Sequence, residues 1–408
     1  MSSNFVDRLS EATRLTRAGR LGDATALIQR LLGGGSPEEP PRPAQRPAQR
    51  PGPTAPAAQA AALPRPAAFA PPPFSAAPLS PAPLPPTAFP PAPFPGAGRP
   101  RRAGLRATIQ DLIERARRFE PAPEAAPLPT PAGARFETGR FGDATGARDY
   151  RLYVPASAQG AGPRPLVLML HGCTQTPDDF ARGTGMNAAA EERGVILLYP
   201  GQTQGANPKR CWNWFRPEDQ RRDAGEAGLL AAMTRSVAAA EAVDPARIYV
   251  AGLSAGGAQA MNLASQYPEL FAAAGVHSGL PAGAARDIPS AFAAMGQGSA
   301  GAQAERPVRA IVFHGDADRT VNPANAAAVA VQATAAAGPL SFEVEEGEAG
   351  GRAYSRERRR DAAGTTLCES WTLHGAGHAW SGGDPAGSYA DAAGPDASRE
   401  MLRFFLEG

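Results

Sequence analysis

The 408-residue sequence has only three cysteines, a single lysine (Lys209), and no apolar run long enough to cross a membrane. Three cysteines are too few for the disulfide framework of a small secreted domain. A membrane span is not predicted, because it needs about 20 consecutive apolar residues. The first residues also lack the basic and apolar segments of a secretory signal. We therefore expect a cytoplasmic protein, with an extracellular location as the alternative.

Neither basic nor acidic residues form long runs in this sequence. The formal net charge is +2, to which residues 1–134 contribute +7 and residues 135–408 contribute −5. Nucleic-acid-binding segments usually carry clustered arginines with interleaved aromatic residues, and no such cluster occurs here. The sequence therefore predicts no nucleic-acid partner.

Proline, in contrast, is abundant and divides the chain. Of the 44 prolines, 28 lie between Pro37 and Pro131, in a stretch that is also rich in alanine. Such a stretch lacks the backbone donors and the apolar area of a packed core. Residues 35–132 are therefore predicted to be a linker, with a short helix near 104–118. Residues 133–408 are numerous enough for one large domain.

Residues 1–34, before the linker, have the periodicity of an amphipathic helix. Apolar side chains recur at helical spacing from Phe5 to Leu31, with arginines and acids between them, and three glycines follow. An isolated helix of this length is marginally stable. We expect it to dock on its own chain or on a second copy, or alternatively on a foreign surface.

Beyond Arg135, short apolar runs alternate with alanine-rich helical stretches. The strand candidates are 150–154, 166–170, 195–199, 248–251, 274–277, 310–313 and 370–373. The helix candidates include 183–193, 224–241, 257–266, 323–337 and 396–406. Continuous apolar runs are typical of strands buried on both faces, so this alternation predicts an α/β fold with a mostly parallel sheet covered by helices.

The most informative motif is Gly-Leu-Ser-Ala-Gly at residues 252–256, between a predicted strand and a predicted helix. This is the context of a nucleophile elbow, in which a serine occupies a strained turn and glycines let the strand and helix approach. The motif alone also occurs in structural turns. Its position between strand and helix favours Ser254 as a catalytic nucleophile.

A nucleophilic serine needs a histidine base and an acid that orients it, in the chain order serine, acid, histidine. Asp316 and Asp318 both follow a predicted strand, and Asp318, further into the loop, is the preferred acid, with Asp316 second. His378 lies in a glycine-flanked loop and is the preferred base, whereas His374 ends a strand and is interpreted as structural.

The spacing of His374 and His378 would suit a metal site only on a helix. Glycines lie between the two residues and no third ligand is evident, so we predict no metal and no cofactor.

Two further segments complete the predicted site. The loop that follows strand 166–170 supplies the backbone amide of Cys173, which together with the amide of Ala255 is expected to bind the oxyanion. Trp212 and Trp214 lie in a long polar loop. They are interpreted either as a wall of the substrate cleft or as side chains that pin the loop to the core.

Together these segments resemble the esterase family of polyhydroxybutyrate depolymerases, whose relatives include feruloyl and acetylxylan esterases. The resemblance covers about residues 135–408. The segments that carry it are His-Gly-Cys-Thr-Gln at 171–175, Cys-Trp-Asn-Trp-Phe at 211–215, Gly-Leu-Ser-Ala-Gly-Gly at 252–257, Val-His-Ser-Gly-Leu at 276–280, His-Gly-Asp-Ala-Asp at 314–318 and Gly-His-Ala-Trp-Ser-Gly-Gly at 377–383.

The resemblance implies an α/β-hydrolase fold, a triad of Ser254, Asp318 and His378, and oxyanion amides at Cys173 and Ala255. It implies a serine ester hydrolase that acts through an acyl-enzyme, with short-chain polyhydroxyalkanoate esters or oligomers as the favoured substrates. A feruloyl or acetylxylan esterase is the first alternative. A granule-associated scaffold protein, attached through residues 1–34, is the second.

The resemblance also places the loops of Cys173 and Cys211 near the nucleophile. A disulfide between these two residues is therefore one expectation, which would leave Cys368 as a free thiol. Three free thiols are the other expectation, because disulfides are rare in the cytoplasm.

Overall fold

The computed structural model describes residues 128–158 and 162–407. The helix predicted over 1–34 and the short helix near 104–118 lie outside these residues, as does the predicted linker 35–132 except for its last five positions. Within the described ranges, no helix is long and apolar enough to span a membrane.

Strands and helices alternate along most of the described residues. The twelve strands found there are β1 Arg135–Asp143, β2 Gly146–Val154, β3 Arg164–Leu170, β4 Ile196–Pro200, β5 Val243–Leu253, β6 Ala273–His277, β7 Ala310–Gly315, β8 Ser341–Ala349, β9 Arg352–Arg360, β10 Thr366–Leu373, β11 Trp380–Ser381 and β12 Ala390–Asp391. The eight α-helices found there are α1 Pro177–Thr184, α2 Met186–Arg193, α3 Pro217–Gln220, α4 Gly225–Ala240, α5 Ala255–Gln266, α6 Ile288–Gln297, α7 Ala324–Thr334 and α8 Ala397–Leu406.

Ten of these strands form one sheet in the order β1–β2–β4–β3–β5–β6–β7–β10–β9–β8. The six central strands, from β4 to β10, run parallel to one another, and antiparallel strands flank them on each side. All seven predicted strands fall within this sheet. The predicted mostly parallel sheet is therefore confirmed.

The sheet is buried on both faces, as the alternation of side chains in β3 shows. Leu166 and Leu168 belong to a cluster with residues of α4, α5 and α7, whereas Val167 and Met169 belong to a cluster with residues of α1, α2 and α8. Successive side chains of a strand point to opposite faces, so one continuous apolar run supplies both clusters. Helices consequently cover both sides, as the sequence predicts.

The sequence patterns miss the hairpin of β8 and β9, because its stabilising pairs are charged. Glu343 lies opposite Arg358 and Glu345 opposite Arg356, and both pairs form ion pairs. Apolar alternation is the signal for a strand, and it is weak where opposite charges face each other across a ladder. No described strand pairs with the outer side of β8, which lies at the edge of the sheet.

Strands β1, β11 and β12 and helices α1, α3 and α6 are also absent from the sequence prediction. The helix predicted over 183–193 is found as α2, which begins three residues later, and its first two predicted residues belong to α1. Helix α1 begins after Thr176, whose side chain accepts a hydrogen bond from the amide of Asp179 at 3.2 Å. It ends at Gly185, which has φ 61° and separates α1 from α2. Glycine adopts this left-handed conformation without steric cost, so two short helices form in place of one.

The parallel strands all end at the same edge of the sheet. The loops that follow β3, β5, β7 and β10 therefore meet there, and they carry the residues that the sequence singled out.

Candidate active site

Ser254 occupies a sharp turn between β5 and α5, with φ 58° and ψ −118°. Positive φ is unfavourable for serine, and such strain persists where the surrounding packing enforces it. A Cβ atom at Gly256 would lie only 1.9 Å from the carbonyl oxygen of Leu170, and one at Gly252 would lie 2.4 Å from the carbonyl carbon of Gly256. Both glycines are therefore needed for β5 and α5 to approach, as in a nucleophile elbow.

Asp318 and His378 meet in the loops after β7 and β10. The Nδ1 atom of His378 lies 2.7 Å from Oδ2 of Asp318. The other carboxylate oxygen, Oδ1, accepts hydrogen bonds from the amides of Thr320 and Val321 at 2.8 and 2.9 Å. Because a carboxylate only accepts, Nδ1 of His378 is the donor, which leaves its Nε2 atom without a proton in the neutral ring.

The electrostatic surroundings keep Asp318 ionised. Burial raises the pKa of this carboxyl group, but hydrogen bonds from His314 and His378 lower it by more, so the pKa lies far below its usual range. The Nε2 atom of His314 lies 3.4 Å from Oδ2 of Asp318 and 2.9 Å from the carbonyl oxygen of Val321. Asp318 is thus available as a charged acceptor for His378.

Asp316 and His374, the alternatives that the sequence ranked lower, form a separate pair. The Nδ1 atom of His374 lies 3.0 Å from Oδ2 of Asp316. The four residues therefore form two separate aspartate–histidine pairs. The pair of Asp318 with His378 is the more deeply buried of the two.

His277 connects the turn of Ser254 with the loop of His378. Its carbonyl oxygen accepts a hydrogen bond from the amide of Ser254 at 2.9 Å, and its Nε2 atom accepts one from the amide of Ser381 at 3.0 Å. The ring stacks on Phe313 and Trp380 and is fully buried. Burial lowers the pKa of His277 to about 3, so this residue is neutral and holds the two segments together.

The predicted oxyanion-hole residues lie beside Ser254. Cys173 and Ala255 contact the same apolar cluster, and a Cβ atom at Gly172 would lie 3.7 Å from Cβ of Ser254. Among the described residues, neither the amide of Cys173 nor that of Ala255 has a hydrogen-bond acceptor. The amide of Ala255 also lies at the start of α5, where helix amides are unpaired. Two unpaired amides next to a strained serine could bind an oxyanion.

The loop of Cys173 is joined covalently to the tryptophan loop. Cys173 and Cys211 form a disulfide across 38 residues of sequence, and the amide of Thr174 donates to the carbonyl oxygen of Lys209 at 2.6 Å. This confirms the pairing that the family resemblance implied. Cys368 is the buried free cysteine, and burial raises the pKa of its thiol to about 12.

Both tryptophans of this loop are buried, but they contact different residues. Trp212 is fully buried, and its indole N–H donates to the carbonyl oxygen of His171 at 3.1 Å. It therefore pins the loop and has no exposed surface for a substrate, so the cleft-wall interpretation is wrong for Trp212. Trp214 packs in the apolar cluster of Ala255 and contacts Phe215 edge to face, with ring centroids 5.7 Å apart.

A buried carboxylate, which no sequence motif marks, also holds this loop in place. Glu226 of α4 accepts hydrogen bonds from the amide and the side chain of Asn213 at 2.7 and 2.8 Å, and Arg148 lies 3.4 Å away. Gln202 also donates to this carboxylate. The position of the loop is therefore fixed by charge-assisted hydrogen bonds as well as by the disulfide.

Tyr389 is a further site residue that no sequence motif marks. Its backbone has φ 52°, its ring contacts His378 edge to face at 6.5 Å, and its hydroxyl lies 3.4 Å from Oγ1 of Thr174. It is 37% exposed, so it spans the mouth of the site between the histidine loop and the Cys173 loop.

His374 and His378 do not converge on a common point, since each is bound to its own aspartate. Among the described residues, no group of three histidine, cysteine, aspartate or glutamate side chains is placed to hold a metal ion.

Comparison with solved structures identifies the fold. The acetyl xylan esterase from Aspergillus awamori matches with a TM-score of 0.51 at 20% sequence identity, over 67% of this chain and 100% of that one. At this identity the likeness shows the fold alone, which is the α/β-hydrolase fold.

Comparison with protein families and curated relatives is more specific. The family model described as esterase PHB depolymerase matches residues 148–342. Poly(3-hydroxyalkanoate) depolymerase C of Paucimonas lemoignei is 32% identical over 60% of this chain and 61% of its own length. Poly(3-hydroxybutyrate) depolymerase of Ralstonia pickettii is 38% identical over 35% of this chain, but the match spans only 32% of that relative.

The match to a third relative extends over most of both proteins. NocK of Nocardia uniformis subsp. tsuyamanensis, which is named as an esterase, is 31% identical over 70% of this chain and 91% of its own length. The family model and the similarity to these relatives point to the same family. The chain belongs to the esterase PHB depolymerase family.

Proposed function

We propose that the protein is a serine carboxylic-ester hydrolase in which Ser254, His378 and Asp318 form the catalytic triad. The observation that carries the proposal is the 2.7 Å contact between Nδ1 of His378 and Asp318, at the sheet edge that also presents the strained turn of Ser254. The names of the family and of its members support ester chemistry.

In the first half of the reaction, Oγ of Ser254 bonds to the ester carbonyl carbon while Nε2 of His378 takes its proton. Asp318 holds the imidazole in the required tautomer and stabilises the imidazolium. The amides of Cys173 and Ala255 donate to the carbonyl oxygen as it becomes negative. The intermediate then collapses, the bond to the alcohol oxygen breaks, and the alcohol leaves with the proton from His378.

In the second half, water replaces the alcohol. His378 takes a proton from the water as its oxygen bonds to the acyl carbon, and the same amides bind the new oxyanion. Cleavage of the bond to Oγ releases the carboxylic acid and returns the proton to Ser254. No metal or organic cofactor takes part in this sequence of steps.

The favoured substrates are short-chain hydroxyalkanoate esters or oligomers. Phe215, which is half-buried and packs edge to face on the buried Trp214, adds apolar area near Ala255, and Tyr389 adds an aromatic ring with a hydroxyl on the side of His378. A short aliphatic acyl group with a polar hydroxyl or ester oxygen fits such a mixture. The rings of Phe215 and Tyr389 also favour a second candidate, a feruloyl ester. Feruloyl esterase B of Neurospora crassa is 33% identical over 34% of this chain and 48% of its own length.

Two experiments test the function and the substrate class. A fluorophosphonate probe should label the full chain once, at Ser254, and purified protein should hydrolyse p-nitrophenyl butyrate, whereas Ser254→Ala should do neither. A panel of hydroxybutyrate oligomers, feruloyl esters and acetylated xylan then compares kcat/KM. Absence of labelling and of hydrolysis would overturn the esterase proposal and leave a granule-associated scaffold role as the alternative. Faster hydrolysis of feruloyl or acetyl esters would overturn only the substrate assignment.

A further inference from the structure

A second pair of aspartate and histidine lies on the same two loops as the proposed catalytic pair. Asp316 precedes Asp318 by two residues, and His374 precedes His378 by four. Oδ2 of Asp316 lies 3.0 Å from Nδ1 of His374, and Oδ1 accepts a hydrogen bond from the amide of Gly375 at 2.6 Å. The carboxylate of Asp316 therefore binds both a side chain and a backbone amide of the loop that follows β10.

The backbones of the two loops are also in direct contact. The amide of Asp316 donates to the carbonyl oxygen of Leu373, and the amide of Ala317 to that of Ala376, each at 3.1 Å. A Cβ atom at Gly315 would lie 2.2 Å from the carbonyl oxygen of Ala376, so only glycine permits this approach. The side-chain pair thus reinforces a joint at which the loops are already closely packed.

The hairpin of β8 and β9 supports the same joint from its outer side. Nε2 of His374 lies 2.8 Å from Oγ of Ser355, and this hydroxyl donates to Oε2 of Glu346 at 2.7 Å. Arg352 donates to the carbonyl oxygen of His374 at 3.0 Å and to Asp391 at 2.7 Å. His374 is therefore held between Asp316 on one side and the hairpin on the other.

Ser355, His374 and Asp316 have the connectivity of a triad, but the surroundings of Ser355 do not suit a nucleophile. Its single hydroxyl proton is directed to Glu346. Ser355 lies in β9, which is paired with β8 on one side and β10 on the other, so its neighbouring amides belong to the ladders. Nothing there corresponds to the unpaired amides of Cys173 and Ala255.

We infer that Asp316 and His374 are positioning residues that clamp the loop of Asp318 to the loop of His378, an inference that rests on the proposed esterase reaction. The clamp fixes the separation of the two loops, and so keeps Asp318 within hydrogen-bond distance of the imidazole that must be oriented. Misplacement of a catalytic group by a fraction of an ångström lowers kcat, because the reacting groups are then seldom aligned.

The charges around His374 make the clamp sensitive to pH. Asp316 and Glu346 face its ring, and Arg352 lies against its backbone. The hydrogen bond to Asp316, with the negative charge of both carboxylates, raises the pKa of His374 above its usual value. The imidazolium form, which binds Asp316 more strongly, is present below that pKa and is lost as the pH rises through it.

Kinetics of single variants test the clamp. Asp316→Asn and His374→Gln should each lower kcat for p-nitrophenyl butyrate by about three- to tenfold with KM within about twofold, because neither side chain contacts substrate. The double variant should be no slower than the slower single variant, since the two residues act through one contact. Glu192→Gln, which removes a carboxylate from the exposed ion pair with Arg399, is the matched control and should leave kcat unchanged.

The pH profile separates positioning from a general loss of stability. The kcat of the wild type should decline by about two- to fivefold as His374 loses its proton, and this alkaline decline should be absent in His374→Gln. Unchanged kcat in both variants, or an alkaline decline that persists in His374→Gln, would overturn the clamp while labelling of Ser254 still upheld the esterase. Fluorophosphonate labelling of Ser355 in the Ser254→Ala variant would also overturn it, in favour of a second nucleophile.

Discussion

At the scale of single residues, the proposed triad predicts that Ser254, His378 and Asp318 depend on one another, since in that mechanism none performs its step alone. Ser254→Ala and His378→Ala should each lower kcat by about 10⁶-fold and Asp318→Asn by about 10⁴-fold, and all three should leave the fold intact. A double variant should lose little more than the slower single variant. Hydrolysis of p-nitrophenyl butyrate measures the rates, and circular dichroism checks the fold. A larger loss in Asp316→Asn than in Asp318→Asn would contradict the choice of acid.

Two other histidines at the site make stability depend on pH, because they are buried in the neutral form. Burial lowers the pKa of His171 to about 4 and that of His277 to about 3, whereas an unfolded histidine has a pKa near about 6.5. Below about pH 6.5 the unfolded chain therefore binds protons that the folded chain does not, and acidification favours unfolding. Between about pH 6.5 and 5.5 the free energy of unfolding should fall by about 1 kcal/mol for each histidine.

Urea unfolding at these two pH values measures the change. Carboxylates that are stabilised by folding lose their contribution only at lower pH, so they do not account for a decrease in this interval. A free energy of unfolding that stays constant between the two pH values would contradict the neutral burial of His171 and His277.

Local motifs predict those site residues whose roles follow from their immediate sequence. Ser254 is marked by the flanking glycines, and Asp318 and His378 by loops that follow buried strands. Tyr389 has no such mark, because its role depends on a contact with Thr174, 215 residues away. Glu226 is likewise recognisable only after folding has buried it beneath the tryptophan loop.

At the scale of secondary-structure elements, apolar patterning predicts the buried centre of the sheet but not its charged edge. Strand β3 is a continuous apolar run because helices cover both of its faces. In β8 and β9 the sheet is stabilised by ion pairs such as that of Glu343 with Arg358. In the sequence alone, these charged residues cannot be distinguished from those of a solvent-exposed segment. The boundaries of such elements depend on the partner strand, and the sequence of one strand does not contain that information.

The disulfide between Cys173 and Cys211 should affect both activity and stability. Closing a loop of this length stabilises the folded state by about 4 kcal/mol through the lost entropy of the unfolded chain. Reduction should therefore lower the melting temperature, and it should lower kcat because the amide of Cys173 is then less firmly held. Thermal unfolding and hydrolysis of p-nitrophenyl butyrate, each with and without a phosphine reductant, measure the two effects.

A Cys211→Ala variant provides the control for this prediction. It should reproduce the effect of reduction and show no further response to the reductant, since Cys368 is buried and free in either state. Equal melting temperatures for the oxidised and reduced wild type would contradict a stabilising role of the bond.

At the scale of the whole molecule, catalysis and the N-terminal segment are predicted to be separable. The residues proposed for catalysis all lie between Cys173 and His378. A variant that lacks residues 1–127 should therefore retain kcat and KM for p-nitrophenyl butyrate within about twofold. If residues 1–34 attach the enzyme to hydroxyalkanoate granules, the same variant should no longer sediment with them. A shortened protein that is folded but inactive on the soluble ester would contradict this separation.

The acidic outer strand of the sheet has a consequence for colloidal behaviour. Strand β8 carries Glu343, Glu345, Glu346 and Glu348, while Phe342 and Val344 are each 61% exposed on the same strand. A strand that has one unpaired edge and exposed apolar side chains tends to add a strand from another molecule, and like charges on the two edges oppose that addition. Acid or concentrated salt should weaken the repulsion, so light scattering should detect aggregates under conditions in which circular dichroism still reports folded protein.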